Sequence, residues 1–204
     1  MIISISGVPG SGKTSVGNIL AERLGLKFYS MGGLRGKMAM DRGMTIDQLN
    51  ALGEKESSTD TEVDEYQREL GKKEDNFVIE GRLSWHFIPH SFKIFLDCGA
   101  REAARRIFSA RTRESEERGD EPLYANEEAT VRGIAERTAS DVRRYEKYYG
   151  VDYRDPKQYD LILDTTDMKS PEETADEIIN ALRKQGLMEM DCVPRIARND
   201  NLSM

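Results

Sequence analysis

The sequence predicts an α/β protein, a three-layer sandwich in which helices cover both faces of a five-stranded parallel sheet. Five short apolar runs are typical of buried strands, and stretches with helical spacing of apolar residues separate them. The 204 residues are enough for one ordinary domain with its own core. We therefore expect a single domain over residues 1–186 and a loose tail over residues 187–204, where the periodicity is lost.

The predicted elements alternate along the chain. Strands are expected at residues 2–6, 27–30, 77–80, 93–97 and 161–164. Helices are expected at residues 13–24, 33–41, 45–52, 60–70, 100–117, 126–149 and 171–184. Ligands of such sheets bind beyond the carboxyl ends of the strands, so the functional residues are expected there.

The segment between the first strand and the first helix has the strongest functional signal. Residues 7–14 read Gly-Val-Pro-Gly-Ser-Gly-Lys-Thr and match G-x-x-x-x-G-K-[ST], the phosphate-binding loop of P-loop NTPases. Its backbone N–H groups and the following helix N-terminus favour phosphate oxygens. A chance glycine-rich turn is the alternative, but the flanking strand and helix are the context that the motif requires.

This loop predicts ATP and Mg²⁺ as cofactors. Lys13 is expected to reach the β- and γ-phosphates, and the Thr14 hydroxyl is expected to ligate Mg²⁺. The predicted nucleotide-binding residues of the loop are Gly7, Val8, Pro9, Gly10, Ser11, Gly12, Lys13, Thr14 and Ser15.

Composition excludes several classes of protein. The net charge of −7 argues against a general binder of nucleic acid or of membrane surfaces. Cys98 and Cys192 lie far apart and outside any C-x-x-C pattern, so neither a disulfide framework nor a zinc knuckle is expected. No apolar run approaches the length of a membrane span, and we expect a cytoplasmic monomer without a signal peptide.

Two polar segments interrupt the alternation. Residues 31–73 are almost wholly helical in pattern, and residues 109–128 are dense in charge. One interpretation is ordinary solvated helix surface. The other is that the first segment clamps an acceptor substrate and the second is a short lid that keeps water away from the transferred phosphoryl group.

Arginine placement supports an anionic acceptor. Arg82 follows Gly81 just after the third strand, at the edge where ligands bind. Arg137, Asp141 and Arg144 share one helical face and together could hold a phosphate and a sugar or base. A row of salt bridges on a solvated helix is the alternative for these three residues. Arg35, in the first helix of the clamp segment, could likewise be an ordinary surface arginine.

Over residues 1–184 the chain resembles the cytidylate kinases, in particular the short archaeal-type members. The resemblance rests on the phosphate loop, on Arg-Gly-Met-Thr-Ile at residues 42–46 and on Val-Ile-Glu-Gly-Arg-Leu-Ser at residues 78–84. It also rests on the pattern R-x-x-x-D-x-x-R at residues 137–144. The glycine–arginine pair together with this helix is more specific than the loop alone.

The resemblance implies an ATP-dependent nucleoside monophosphate kinase that phosphorylates CMP or dCMP. It implies catalytic roles for Lys13, Arg137 and Arg144, and donor-phosphate contacts from the lid by Arg106 and Arg111. The acceptor-binding residues that it implies are Arg35, Gly81, Arg82, Arg137, Asp141 and Arg144. Catalysis would be positioning and charge neutralisation, without a strong base.

One departure from the family pattern concerns the metal or acceptor site. The family usually has an aspartate where this chain has Gly33, and Glu80 or Asp164 is the candidate to supply the missing charge. Rival functions are a small-metabolite kinase of the shikimate or gluconate type, and a nucleotide-binding protein with weak catalysis. A signalling GTPase is excluded because N-K-x-D and D-x-x-G are both missing.

Overall fold

The computed structural model describes residues 1–55, 58–113 and 124–188, with side chains described at all of them except 58–60 and 111–113. The strands are β1 (Ile2–Gly7), β2 (Lys27–Ser30), β3 (Phe77–Glu80), β4 (Phe92–Asp97) and β5 (Leu161–Asp164). The helices are α1 (Lys13–Leu24), α2 (Met31–Asp41), α3 (Ile46–Lys55), α4 (Ser58–Lys73), α5 (Ser84–Phe87), α6 (Ala100–Arg113), α7 (Glu127–Tyr149) and α8 (Pro171–Lys184). A single 3₁₀ turn, Pro156–Gln158, precedes β5.

The five strands form one parallel sheet in the order β2-β3-β1-β4-β5, which confirms the predicted architecture. In the central strand, Ile5 is in register with Glu80 of β3, and Gly7 is in register with Leu96 of β4. The carboxyl ends of these strands therefore lie at one edge. The phosphate loop leaves β1 there, and Gly81–Arg82 leave β3 beside it.

Helices cover both faces of the sheet, so the central strand is buried on both sides. On one face, Ile3 and Ile5 pack with apolar residues of α1 and α8. On the other face, Ile2 and Ile79 pack with residues of α2 and α4, and Phe95 packs with residues of α5 and α7. This arrangement is the three-layer sandwich that the alternating pattern predicts.

The structure differs from the prediction mainly at element ends. Helix α2 begins at Met31 rather than at residue 33, because the Ser30 side chain accepts a hydrogen bond from the Gly33 N–H and caps the helix. Helix α5 was not predicted, because its four residues are too few to show a period. Predicted helix and lid residues 114–123 and tail residues 189–204 lie outside the described residues. No described helix is both long and apolar enough to cross a membrane.

Candidate functional site

A cleft of about 740 Å³ lies at the carboxyl edge of the sheet, where the topology predicts a ligand. The phosphate loop, the start of α2 and residues 80–83 contribute to its walls, and so do the inner faces of α6 and α7. Residues 168–171, which follow β5, also line the cleft. One continuous space therefore joins the phosphate loop to the helices of the clamp segment.

Close backbone contacts fix the phosphate loop in place. At Gly7 the φ angle is +148°, and a Cβ atom there would come within 2.1 Å of the Leu96 carbonyl oxygen. At Gly10 the φ angle is +79°, and a Cβ would come within 2.6 Å of the Ala103 carbonyl oxygen. Only glycine fits either position, so the loop lies directly against β4 and α6.

Lys13 is the positive group at the centre of this loop. Its side chain is buried, and its Nζ donates a hydrogen bond of 2.7 Å to the Val8 carbonyl oxygen. Burial, together with the nearby Arg82 guanidinium, lowers the pKa of Lys13 to about 7, while the Glu80 carboxylate opposes the shift. A phosphate at this position would reverse the shift by supplying negative charge.

Thr14 lies beside a buried carboxylate. Its hydroxyl donates to Oε1 of Glu80 at 3.3 Å, and the Ser30 hydroxyl donates to the same oxygen at 2.5 Å. Hydroxyl and carboxylate oxygens are the ligand type that Mg²⁺ prefers, so Thr14 and Glu80 fit this ion. The Asp164 carboxylate instead accepts hydrogen bonds from the backbone N–H and the hydroxyl of Thr166. Glu80 therefore supplies the negative charge beside Thr14.

A buried ion cluster connects α7 to the phosphate loop. Asp141 accepts from Nε of Arg82 at 3.1 Å and from Nη2 of Arg144 at 2.5 Å. Arg82 also donates through Nη1 to the Gly7 carbonyl oxygen at 2.8 Å. Asp141 and Arg144 are 3% and 1% exposed, so the solvated-face interpretation is wrong for them.

The charge state of this cluster follows from its contacts. Burial acts to raise the pKa of Asp141, but the guanidinium groups of Arg82 and Arg144 outweigh it and hold that pKa below its ordinary value. The carboxylate is therefore ionised at neutral pH, and it fixes the orientation of both arginines.

The other predicted acceptor residues line the same cleft. Arg137 is half-buried on α7, one turn before Asp141. Arg35 donates through Nε to Oδ1 of Asn50 at 2.9 Å, which joins α2 to α3. Gly81 leaves no room for a side chain, since a Cβ would lie 2.6 Å from the Ser84 hydroxyl. The structure thus brings these residues together, and their roles stay predictions.

On the donor side, Arg106 joins α6 to the segment after β5. It pairs with Glu102 at 2.8 Å and donates to the Thr165 carbonyl oxygen at 2.6 Å. The Thr165 hydroxyl lies 3.2 Å from the Ser11 carbonyl oxygen, so this contact reaches the phosphate loop. The Arg111 side chain lies outside the described residues.

Sequence reasoning missed several polar side chains that line the cleft. They are Asn50 on α3, Asp64 and Gln67 on α4, Arg105 on α6 and Lys169 after β5. A signal for two of them was present, because Asp64 and Gln67 fall on the same helical face as the buried Val63 and Leu70. Polar residues on an apolar stripe indicate a buried site rather than solvated surface.

The chain is similar to known proteins over most of its length. The model of the Cytidylate kinase-like family matches residues 2–167. The chain is 37% identical over 187 residues to a cytidylate kinase of Methanocella arvoryzae, covering 90% of this chain and 99% of that protein. It is 34% identical to a cytidylate kinase of Archaeoglobus fulgidus, covering 81% and 86% of the two chains.

A third relative and a solved structure extend the comparison. An S-adenosylmethionine-dependent nucleotide dehydratase of Lacinutrix mariniflava is 32% identical over 89% of this chain, which corresponds to 36% of that protein. A shikimate kinase structure from Bacteroides thetaiotaomicron superposes with a TM-score of 0.61 at 16% identity, covering 90% and 98% of the two chains, and shows the fold alone. The family match and the cytidylate kinase relatives span most of the chain, which therefore belongs to the cytidylate kinase-like family of kinases.

Proposed function

We propose that this chain transfers the γ-phosphoryl group of ATP to CMP or dCMP. The observation that carries the proposal is the buried Arg82–Asp141–Arg144 cluster in the same cleft as the phosphate loop. Arginine side chains in the same cleft as a phosphate loop suit an acceptor whose reacting group is itself a phosphate. The cytidylate kinase relatives support the choice of base.

At the donor end, the phosphate loop and Lys13 hold the β- and γ-phosphates. Lys13 must exchange its hydrogen bond to the Val8 carbonyl oxygen for phosphate oxygens, and it is protonated when it does so. Thr14 and Glu80 would hold Mg²⁺, which when bound neutralises charge that develops on the phosphates. Ser30 keeps the Glu80 carboxylate directed at Thr14.

At the acceptor end, Arg82, which follows β3, and the arginines of α7 neutralise the attacking phosphate. The charge of Arg137 acts on both Lys13 and Asp141. An acceptor phosphate is already ionised at neutral pH, so it needs no side chain to remove a proton. The residues of the cleft therefore orient and neutralise the two substrates.

A panel of acceptors tests this function. Purified protein is assayed for ADP release with ATP, Mg²⁺ and, separately, CMP, dCMP, UMP, AMP, GMP, shikimate and gluconate. We expect CMP or dCMP to give the highest kcat/KM, UMP to be weaker, and the purine nucleotides and sugar acids to be poor. A sugar acid or AMP as clearly the best acceptor would overturn the proposal. Slow turnover with every acceptor would instead favour a nucleotide-binding protein with weak catalysis.

A further inference from the structure

Thr165, the first residue after β5, joins three elements around the donor side of the cleft. It is 1% exposed. Its backbone N–H donates to the Asp97 carbonyl oxygen at the end of β4, at 2.9 Å. On α6, Arg106 donates through Nη2 to the Thr165 carbonyl oxygen at 2.6 Å and through Nη1 to the Thr165 hydroxyl oxygen at 3.1 Å. These contacts hold the hydroxyl group beside the phosphate loop.

The Thr165 hydroxyl has one proton and two carbonyl oxygens within reach. The Asp97 oxygen lies at 2.9 Å, and the Ser11 oxygen of the phosphate loop lies at 3.2 Å. The Asp97 oxygen already accepts from the Thr165 backbone, whereas no other group in the described part of the chain donates to the Ser11 oxygen. Ser11 is 1% exposed, and a buried carbonyl oxygen without a donor is costly. The hydroxyl therefore serves Ser11.

This contact sets the direction of the peptide bond between Ser11 and Gly12. In a planar trans peptide the C=O and the N–H point to opposite sides. With the Ser11 oxygen held toward Thr165, the Gly12 N–H points away from Thr165. Gly12 lines the cleft and Thr165 does not, so the N–H is directed to the side where a ligand binds.

The backbone of the loop does not fix this direction by itself. Gly12 has a φ angle of +87°. Because glycine adopts positive and negative φ angles about equally readily, the peptide before it can turn over at little cost. A hydrogen bond from outside the loop is therefore needed to keep one orientation, and the Thr165 hydroxyl supplies it.

We infer that Thr165 is a positioning residue for the phosphate donor, because its hydroxyl keeps the Gly12 N–H directed at the donor phosphates. The inference rests on the proposed function only as far as ATP binding by the phosphate loop. Backbone N–H groups of such loops bind phosphate oxygens, and one that is turned away no longer contributes. Thr165 touches no substrate and acts from behind the loop.

Titration calorimetry with ATP and Mg²⁺, together with steady-state kinetics, tests this role. Thr165→Val keeps the shape of the side chain but removes the hydroxyl, and Asp97 keeps its backbone donor. We expect the Kd for ATP to rise about 5- to 30-fold. The KM for the acceptor at saturating ATP should change less than about twofold. Thr165→Ser keeps the hydroxyl and should bind ATP within about twofold of the original protein.

The matched control is Thr166→Val, the same change one residue further along the chain. The Thr166 hydroxyl donates to the Asp164 carboxylate and accepts from the Gly99 N–H, and neither contact reaches the phosphate loop. This variant should leave the Kd for ATP unchanged. Melting temperatures of all variants report whether they fold.

A second background separates the loop from Arg106, which also contacts the Thr165 hydroxyl. When Thr165→Val is added to Arg106→Ala, ATP binding should still weaken severalfold, because the contact with Ser11 does not pass through Arg106. If Thr165→Val has an effect only when Arg106 is present, Thr165 acts through that arginine and the assignment to the loop is overturned.

The remaining outcomes separate the inference from the function on which it rests. If folded Thr165→Val binds ATP as the original protein does, positioning by Thr165 is overturned. If Thr165→Val does not fold, Thr165→Ala removes the same hydroxyl, and an unchanged Kd there overturns the inference. If the unaltered protein binds ATP but phosphorylates no acceptor, the proposed function fails and the Kd values still decide the inference. If it does not bind ATP, both fail.

Discussion

Replacing Asp141 by asparagine should destabilise the protein strongly. Asp141 accepts from Arg82 and Arg144, and all three side chains are largely buried. The substitution leaves two guanidinium groups close together without the carboxylate between them. Removing one partner of a buried ion pair costs about 3–5 kcal/mol of unfolding free energy. For a chain of this size the melting temperature should fall by roughly 6–20 °C.

The assay is urea unfolding followed by circular dichroism, with thermal melts as a second measurement. The matched control is Glu136→Gln, which removes a carboxylate from the exposed face of the same helix and should change stability by less than about 0.5 kcal/mol. If Asp141→Asn also stays within about 0.5 kcal/mol, the cluster does not stabilise the fold and our reasoning about its burial is refuted.

The pH dependence gives an independent check on the same residue. The pKa of Asp141 is lowered from an ordinary value of 3.8. Its ionised form therefore contributes stability that is fully present above pH 3.8 and is lost as the pH falls through the lower pKa of the folded state. The difference in stability between the original protein and Asp141→Asn should be constant at neutral pH and narrow only below about pH 4. If this difference in stability narrows between pH 6 and pH 8 instead, its pH dependence comes from a group other than Asp141.

Three further predictions concern the phosphate loop and its surroundings. Lys13→Ala should lower kcat at least about 10²- to 10³-fold, because it removes the charge aimed at the transferred group. The melting temperature should stay unchanged or rise, because the removed charge is buried. Near-normal turnover of the folded variant would contradict the mechanism. Because the pKa of Lys13 is about 7 in the structure and phosphate raises it, ATP binding at pH 8 should take up close to one proton, and affinity should fall as the pH rises above 7. Calorimetry in two buffers of different ionisation enthalpy measures this uptake, and equal heats would disprove it. Gly33→Asp should shift the half-saturating Mg²⁺ concentration severalfold, since Gly33 lines the cleft beside Ser30, whose hydroxyl contacts Glu80. An unchanged Mg²⁺ titration at unchanged melting temperature would show that residue 33 does not serve the metal.

The strands and the phosphate loop were predictable because their signals are local. The run from Ile2 to Ile5 is mostly apolar, as is typical of a strand buried on both faces, and Gly7 and Gly10 are required by backbone geometry. The sequence indicated Glu80 and Asp164 equally for the charge missing at this site, and the choice between them was not predictable, since the contact of Glu80 with Thr14 joins residues 66 positions apart. It depends on the register of β1 with β3, which sequence periodicity does not specify.

The acceptor end was harder to predict for a related reason. Arg137, Asp141 and Arg144 share a face in any helix, but only packing against Arg82 shows that the face is buried. Asp64 and Gln67 look like ordinary polar residues of an acidic helix until Tyr149 and Ser84 are placed beside them. Side chains whose partners come from distant segments become visible only when the fold is assembled.

Arg82 contacts both the phosphate loop and α7. Its Nη1 holds the first carbonyl oxygen of the phosphate loop, and its Nε holds the carboxylate of α7. An acceptor that draws this guanidinium toward its own phosphate must loosen one of those two contacts. In the proposed mechanism, occupancy of either half of the cleft therefore changes the affinity of the other half, and thermodynamic linkage makes the factor the same in both directions. The coupling between ATP and the acceptor in that mechanism thus passes through a single side chain.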